Sequence, residues 1–320
     1  MAESTGELSD LGLLAAIDDG LPLPPLADPV NAEIFSSKEQ AGLAMQTLLN
    51  DVLEDSGDTR IGKIITLIPQ KYKPAAQGRS YRIDVYAETA DNELAVFEVS
   101  LDKNSVAVDR SFIYTQQAIS QKLPVGVGWR DMPSAMPDRV IMLNILDFEA
   151  RKGGRGFHQV CEVTYREPPR ELATERFSAH NLELPKFRKT EVDFNKPLHC
   201  WLHMLCKAQD NHMTLREAVD SEPNLAAFAK REGVQQYMTQ YAVASANPTT
   251  RNEYYLWAMH EMLENENMRL QRKEAREEGR EEGRMENKVK TAKMMLASNM
   301  HLSMISSFTD LSEDEINALR

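Results

Sequence analysis

The stretch YRIDVYAETADNELAVFEVS at 81–100 constrains the fold more than any other part of the chain. Its two halves are rich in β-branched and aromatic residues and alternate in character, the mark of strands with two distinct faces. Between them, Ala90, Asp91 and Asn92 suit a three-residue hairpin loop with Asn92 in the left-handed conformation that such a loop requires. That loop sets residue 84 opposite residue 98. Because side chains alternate along a strand, Arg82, Asp84, Glu98 and Ser100 share one face, while Ile83, Val85, Phe97 and Val99 point the other way into a core. The pattern predicts two facing carboxylates beside an arginine. Such a pair holds Mg2+ through oxygen ligands, leaving positions for water and a phosphate oxygen, and the ion then polarises the phosphate and activates an attacking water. A surface hairpin whose acids simply align is the alternative reading of the same spacing.

Other segments supply the rest of a mixed sheet. Strand-like runs occur at 61–68, 139–146, 157–165 and 176–184, with a helical stretch at about 105–121 between the runs at 93–100 and 139–146. From Ser37 to Glu54 the residues Ala41, Ala44, Met45, Leu48, Leu49, Val52 and Leu53 recur at three- and four-residue intervals, which predicts an amphipathic helix. After Pro185 the texture becomes helical, and Asn195-Lys196-Pro197 is a helix start. A long helix is expected over about 249–298, with the charged segment REEGREEGR at 276–284 solvated by its own Glu–Arg pairs and available for a contact between two copies of the chain. A helical hairpin follows, with Asn299 as a helix stop and Ser312 capping the last helix against Glu315. The expected organisation is α/β, a mixed central sheet flanked by helices and followed by a helical C-terminal region: a flexible tail at 1–30 ending in Pro22, Pro24, Pro25 and Pro29, a core at 31–190, a helical region at 191–248, and the long helix with its hairpin at 249–320.

Charge narrows the function classes. The formal net charge of −12 opposes broad affinity for polyanions, but its distribution is uneven. Residues 1–59 carry twelve acids against one base, Lys38, whereas 60–82 carry Arg60, Lys63, Lys71, Lys73, Arg79 and Arg82 with no acid. This basic segment, immediately before Asp84, is either a solvated surface or a guide for a phosphate backbone. No apolar run approaches the roughly 18 residues that cross a bilayer, and the acidic N-terminus is unlike a secretory or mitochondrial signal, so a cytoplasmic protein with no membrane contact is expected. Cys161, Cys200 and Cys206 contain no C-x-x-C pair and read as reduced, packed thiols.

The order helix, strand, strand with Arg82-Ile83-Asp84, hairpin, strand with Phe97-Glu98-Val99, helix, strand resembles the PD-(D/E)xK nuclease superfamily, whose core is restriction-endonuclease-like. More narrowly it resembles the bacterial recombination-promoting nuclease and transposase family, through DPVNAEIFSSKEQAGLAMQTLLNDVL at 28–53, RSFIY at 110–114 and the Gly-spaced Arg/Glu helix with its closing hairpin. The resemblance implies a Mg2+- (or Mn2+-) dependent DNA endonuclease acting in recombination or transposition. Asp84 and Glu98 match the metal-binding acids, and Arg110 and Tyr114 match a family R-x-x-x-Y expected near nucleic acid together with Lys71, Lys73, Arg79 and Arg82. The third catalytic position, two residues after Glu98, is Gln in the family or Lys in the superfamily; here it is Ser100, shorter and uncharged. Arg82 or Lys103 could compensate, although an arginine stabilises charge without acting as a base. Asn31-Ala32 also stands where the family tends to have Phe-Lys.

Two competing motifs have simpler readings. His199, His203 and Cys206 lie on one helical face at a spacing that could present zinc ligands, but Leu198, Trp201, Leu202 and Leu205 account for a packed amphipathic helix. Gly153-Gly154-Arg155-Gly156 lacks the Gly-Lys-Ser/Thr ending of a phosphate loop and precedes a strand. The leading expectation is therefore the endonuclease. The second, which Ser100 favours, is a catalytically weakened relative that binds nucleic acid or a protein partner. An interaction protein with no nucleic-acid role is the third.

Overall fold

The computed structural model describes residues 20–36, 38–69, 85–101, 107–123, 126, 128, 130–150, 153 and 156–319. The chain forms two compact units, divided between Ala258 and Met259.

The first unit is built on a six-stranded mixed sheet. Its strands are β1 (Ile64–Pro69), β2 (Val85–Thr89), β3 (Glu93–Ser100), β4 (Arg139–Leu146), β5 (His158–Glu162) and β6 (Phe177–Glu183), in the spatial order β1-β2-β3-β4-β6-β5. The hairpin forms in the expected register, with Val85 opposite Phe97 and Ala87 opposite Ala95. Ala90, Asp91 and Asn92 span the turn, and Asn92 has φ 58°, the conformation its short polar side chain tolerates. Strand β4 lies parallel to both β3 and β6, whereas the outer pairs are antiparallel.

Helices cover both faces of the sheet. Helices α1 (Asp28–Ile34) and α2 (Lys38–Ser56) belong to one side, where the Phe35 ring meets Phe97 edge-on at 5.7 Å. On the opposite face, Tyr114 and Ala118 of α3 (Ala107–Lys122) pack against Tyr86, Leu94, Val96, Val140, Met142 and Ala179. A parallel strand pair needs a crossover, and α3 supplies it between β3 and β4. The short helices α4 (Met132–Ala135) and α5 (Leu184–Phe187) flank β4 and β6 in the chain.

The helices that follow complete the layer over α2. Helix α6 (Pro197–Asp210) buries Leu198, Trp201, Leu202 and Leu205, α7 (Leu215–Asp220) starts with a capping box between Thr214 and Glu217, and α8 (Glu232–Ala246) packs along α2. Part of the stretch expected within a flexible tail is packed. Leu23 and Leu26 are buried, the Leu23 N–H donates to Ser245 Oγ, and the Tyr241 hydroxyl donates to the Leu23 carbonyl. Prolines prevent regular structure there, yet the extended backbone they favour delivers these leucines into the helical layer.

The 50-residue α9 (Pro248–Ala297) begins in the first unit. Within the second unit its C-terminal part packs with α10 (Leu302–Thr309) and α11 (Glu313–Asn317) through Ala292, Ile305, Leu311 and Ile316. Asn299 adopts φ 58° after α9, and Ser312 and Glu315 form a capping box at α11, both as expected. Among the described residues, no helix is long and apolar enough to cross a membrane.

Candidate functional site

Glu98 stands near the C-terminal end of β3 and is 7% exposed; Ser100, on the same face, is 4% exposed. The expected polar face is therefore a covered one. Alternation correctly separates Glu98 and Ser100 from Phe97 and Val99, but both sets lie beneath helices because α3 crosses the face to which Val96 and Glu98 belong.

Strand register extends the Glu98 position into a row. Glu98 pairs with Asn144 on β4, Asn144 with Asn181 on β6, and Asn181 with Gln159 on β5. One step back along the same face the corresponding residues are Val96, Met142 and Ala179, all buried and apolar. Asn144 Nδ2 donates to Asn181 Oδ1 at 2.7 Å, and both residues are buried. One step forward, buried Glu183 accepts a hydrogen bond from Gln159 Nε2 at 2.8 Å and pairs with Lys186 Nζ at 2.6 Å. Asn144 has a signal in the sequence, a lone amide inside the otherwise apolar run VIMLNIL at 140–146, whereas Asn181 stands among polar residues in FSAHNLE at 177–183 and has none.

The other expected site residues fall in several places. Asp84, Arg82, Arg79, Lys71, Lys73 and Lys103 lie outside the described residues. Arg110 belongs to α3, but its side chain is outside the described set. Tyr114, expected at nucleic acid, is 4% exposed, and its ring holds α3 against Tyr86 and Leu94.

A second buried polar cluster occupies the opposite face of the sheet. Asp55 Oδ2 lies 2.8 Å from His158 Nδ1, His158 Nε2 lies 3.1 Å from His180 Nδ1, and His180 Nε2 lies 3.2 Å from Ser178 Oγ. Burial, reinforced by the neighbouring His158 charge, lowers the His180 pKa to about 4. The hydrogen bond from His158 holds Asp55 below the ordinary carboxylate range.

The zinc-like spacing on α6 is packing. The His199 ring stacks edge-on against Phe157 and Phe187, and its Nδ1 accepts the Asp193 N–H at 3.1 Å. Burial pushes the Cys206 thiol up to about 12, far from a thiolate ligand at neutral pH. Among the described residues, no group of three or more His, Cys, Asp or Glu side chains is placed to hold a metal.

A mixed sheet whose hairpin leads into a parallel strand, with a crossover helix over the acidic position, is the architecture of the PD-(D/E)XK fold. The sequence matches the family described as PD-(D/E)XK nuclease family transposase over residues 25–266, three quarters of the chain, and the protein belongs to that family. No curated protein and no solved structure matches the chain.

Proposed function

We propose that the protein is a metal-dependent DNA endonuclease that hydrolyses phosphodiester bonds in a recombination or transposition context, with Asp84 and Glu98 as the metal-binding acids. The observation that carries this reading is the hairpin register: Val85 pairs with Phe97, so the chain neighbours of this pair are Asp84 and Glu98. The donor chemistry fits a hard cation. Asp84 and Glu98 offer carboxylate oxygen, which suits Mg2+ or Mn2+, and the amides of Asn144 and Asn181 lie behind Glu98 in the same row. Bound there, the ion would supply Lewis-acid polarisation of the phosphate and a more acidic water. Lys71, Lys73, Arg79, Arg82 and Arg110 would track the phosphate backbone by charge, while buried Tyr114 fixes the helix that carries Arg110.

Ser100 favours a second reading, a catalytically weakened relative that binds nucleic acid or a protein partner. It is buried beside Glu98 and has neither charge nor reach. Plasmid and linear DNA incubated with the protein in Mg2+ or Mn2+ separate the two. The first reading requires cleavage that disappears in Asp84→Ala and Glu98→Ala. An inactive parent with a Ser100→Gln variant that cuts identifies the weakened relative, and the absence of cleavage in both sinks the endonuclease reading.

We also propose association of two copies through α9, supported by Leu263 and Leu270, which stand seven residues apart and are 62% and 47% exposed.

A further inference from the structure

We infer that the Asn144–Asn181 amide pair is the positioning scaffold of Glu98, orienting its carboxylate for a divalent cation; the inference rests on the metal-site reading above. Three observations carry it. The register sets Glu98, Asn144 and Asn181 side by side on adjacent strands of one face, where paired side chains are direct neighbours. Both asparagines are buried, at 1% and 5% exposure, on a face that is apolar one step back. Finally, the 2.7 Å bond from Asn144 Nδ2 to Asn181 Oδ1 locks the amide nearest Glu98 in one orientation.

Packing alone does not explain this pair. A single amide–amide hydrogen bond in a sheet core contributes little net stability, and two apolar side chains of similar shape would serve nearly as well. What the amides add is direction: a rigid dipole beside a carboxylate that has to present its oxygens at a fixed angle. Groups behind metal ligands act in this way, and their loss typically weakens metal binding without removing a ligand. Asn144 and Asn181 are therefore positioning residues that act through Glu98.

The test is Mn2+ binding in the absence of DNA, followed by the paramagnetic resonance signal of the free ion, with far-UV circular dichroism and thermal melting on the same samples. The parent, Glu98→Ala, Asn144→Leu, Asn181→Leu and the Asn144→Leu/Asn181→Leu double variant are compared. Asn144→Leu is expected to weaken Mn2+ binding by about 10–100-fold. The double variant, which strands no amide, should recover most of the melting temperature while its Mn2+ affinity stays low, a split that a merely structural pair would not produce. Parent-like affinity in the folded double variant overturns the inference. If Glu98→Ala also binds Mn2+ like the parent, the metal-site reading fails with it; if Glu98→Ala loses binding while the double variant keeps it, only the positioning role is wrong.

Discussion

Arg231 closes both ends of its guanidinium on the carboxylate of Asp51, at 2.6 and 2.7 Å, across 180 residues of sequence. The Asp51 side chain is fully buried and also accepts the Trp201 indole N–H at 2.7 Å. One carboxylate thus ties α2 to α6 and to the residue that precedes α8. A buried charge with three donors is satisfied, but removing the arginine leaves it uncompensated, which typically costs about 3–5 kcal/mol. Arg231→Leu should destabilise the first unit by roughly 3 kcal/mol in urea unfolding, the lower end because the arginine is partly exposed. Asp51→Asn/Arg231→Leu should recover part of that loss. A single variant within 0.5 kcal/mol of the parent, on the order of an ordinary surface substitution, would show that the pair contributes nothing.

Gly233 of α8 lies directly against Thr47 and Leu43 of α2. A Cβ there would stand 2.0 Å from Thr47 Oγ1, 2.6 Å from Thr47 Cβ and 2.9 Å from the Leu43 carbonyl oxygen. Ala is normally the better helix former by about 1 kcal/mol, so steric exclusion opposes propensity. Exclusion wins, because backbone as well as side chain has to move. Gly233→Ala should lose about 1–3 kcal/mol by chemical denaturation. Thr47→Ala will not rescue it, since the Thr47 Cβ is itself too close; Thr47→Gly relieves that part of the clash. A more stable Gly233→Ala would mean that the helices can separate freely.

The elements that local chemistry specifies were legible in the sequence. Asn92 and Asn299 both have φ 58°, and the Ser312–Glu315 capping box forms, because each depends on residues within a few positions of one another. The α2 stripe likewise reads directly as buried Ala41, Met45, Leu48 and Val52. What lies over a face was not legible. Alternation groups Glu98 with Ser100, but only the crossover of α3 determines that their face is covered. The Asn144–Asn181 pair was hidden for a related reason: its register is set by a connection of thirty residues between β4 and β6, which no local pattern encodes.

Acid should destabilise the first unit through its buried histidines. Burial first, and the His158 charge second, lower the His180 pKa to about 4, below its ordinary value of 6.5. Between these two values the unfolded chain binds a proton that the folded chain refuses. Stability is complete above the unfolded value and falls with decreasing pH, by up to about 1.4 kcal/mol per pH unit for one such group. His199 and His203 are shifted in the same direction, again mainly by burial. Asp55 adds to the loss only in stronger acid: its lowered value stabilises the fold above its unfolded value of 3.8, and that contribution disappears as pH falls through the folded one. Urea unfolding from pH 7.5 to 4.5, a window chosen to span roughly the ordinary histidine range, should show declining stability. His180→Leu should flatten the decline without abolishing it. An identical slope in the variant would rule out His180 as a contributor.

In the dimer proposed through α9, the charge pattern calls for two parallel copies. With Leu263 and Leu270 on the seam, Arg269 and Arg276 occupy one flank, and Glu274 and Glu281 the other. A parallel pair in register brings Arg269 against Glu274 and Arg276 against Glu281 of the second copy. Within one copy Arg269 already pairs with Glu266 at 2.8 Å, a solvent-exposed contact weak enough to exchange. Glu266 and Lys273 share the seam with the leucines, so the apolar contact is short and the dimer should depend on protein concentration. Burying a leucine contributes about 1.5–3 kcal/mol, and Leu263→Lys/Leu270→Lys should abolish association in sedimentation equilibrium. Charge supplies the orientation test. Arg269→Glu/Arg276→Glu should weaken self-association by placing like charges across both flanks, and so should Glu274→Arg/Glu281→Arg. Mixing the two variants sets an all-Glu flank set against an all-Arg one and gives complementary charges on both flanks, as does combining all four substitutions in one chain. Recovery of the dimer in the fourfold variant supports the parallel register; a fourfold variant as dissociated as either double variant excludes it.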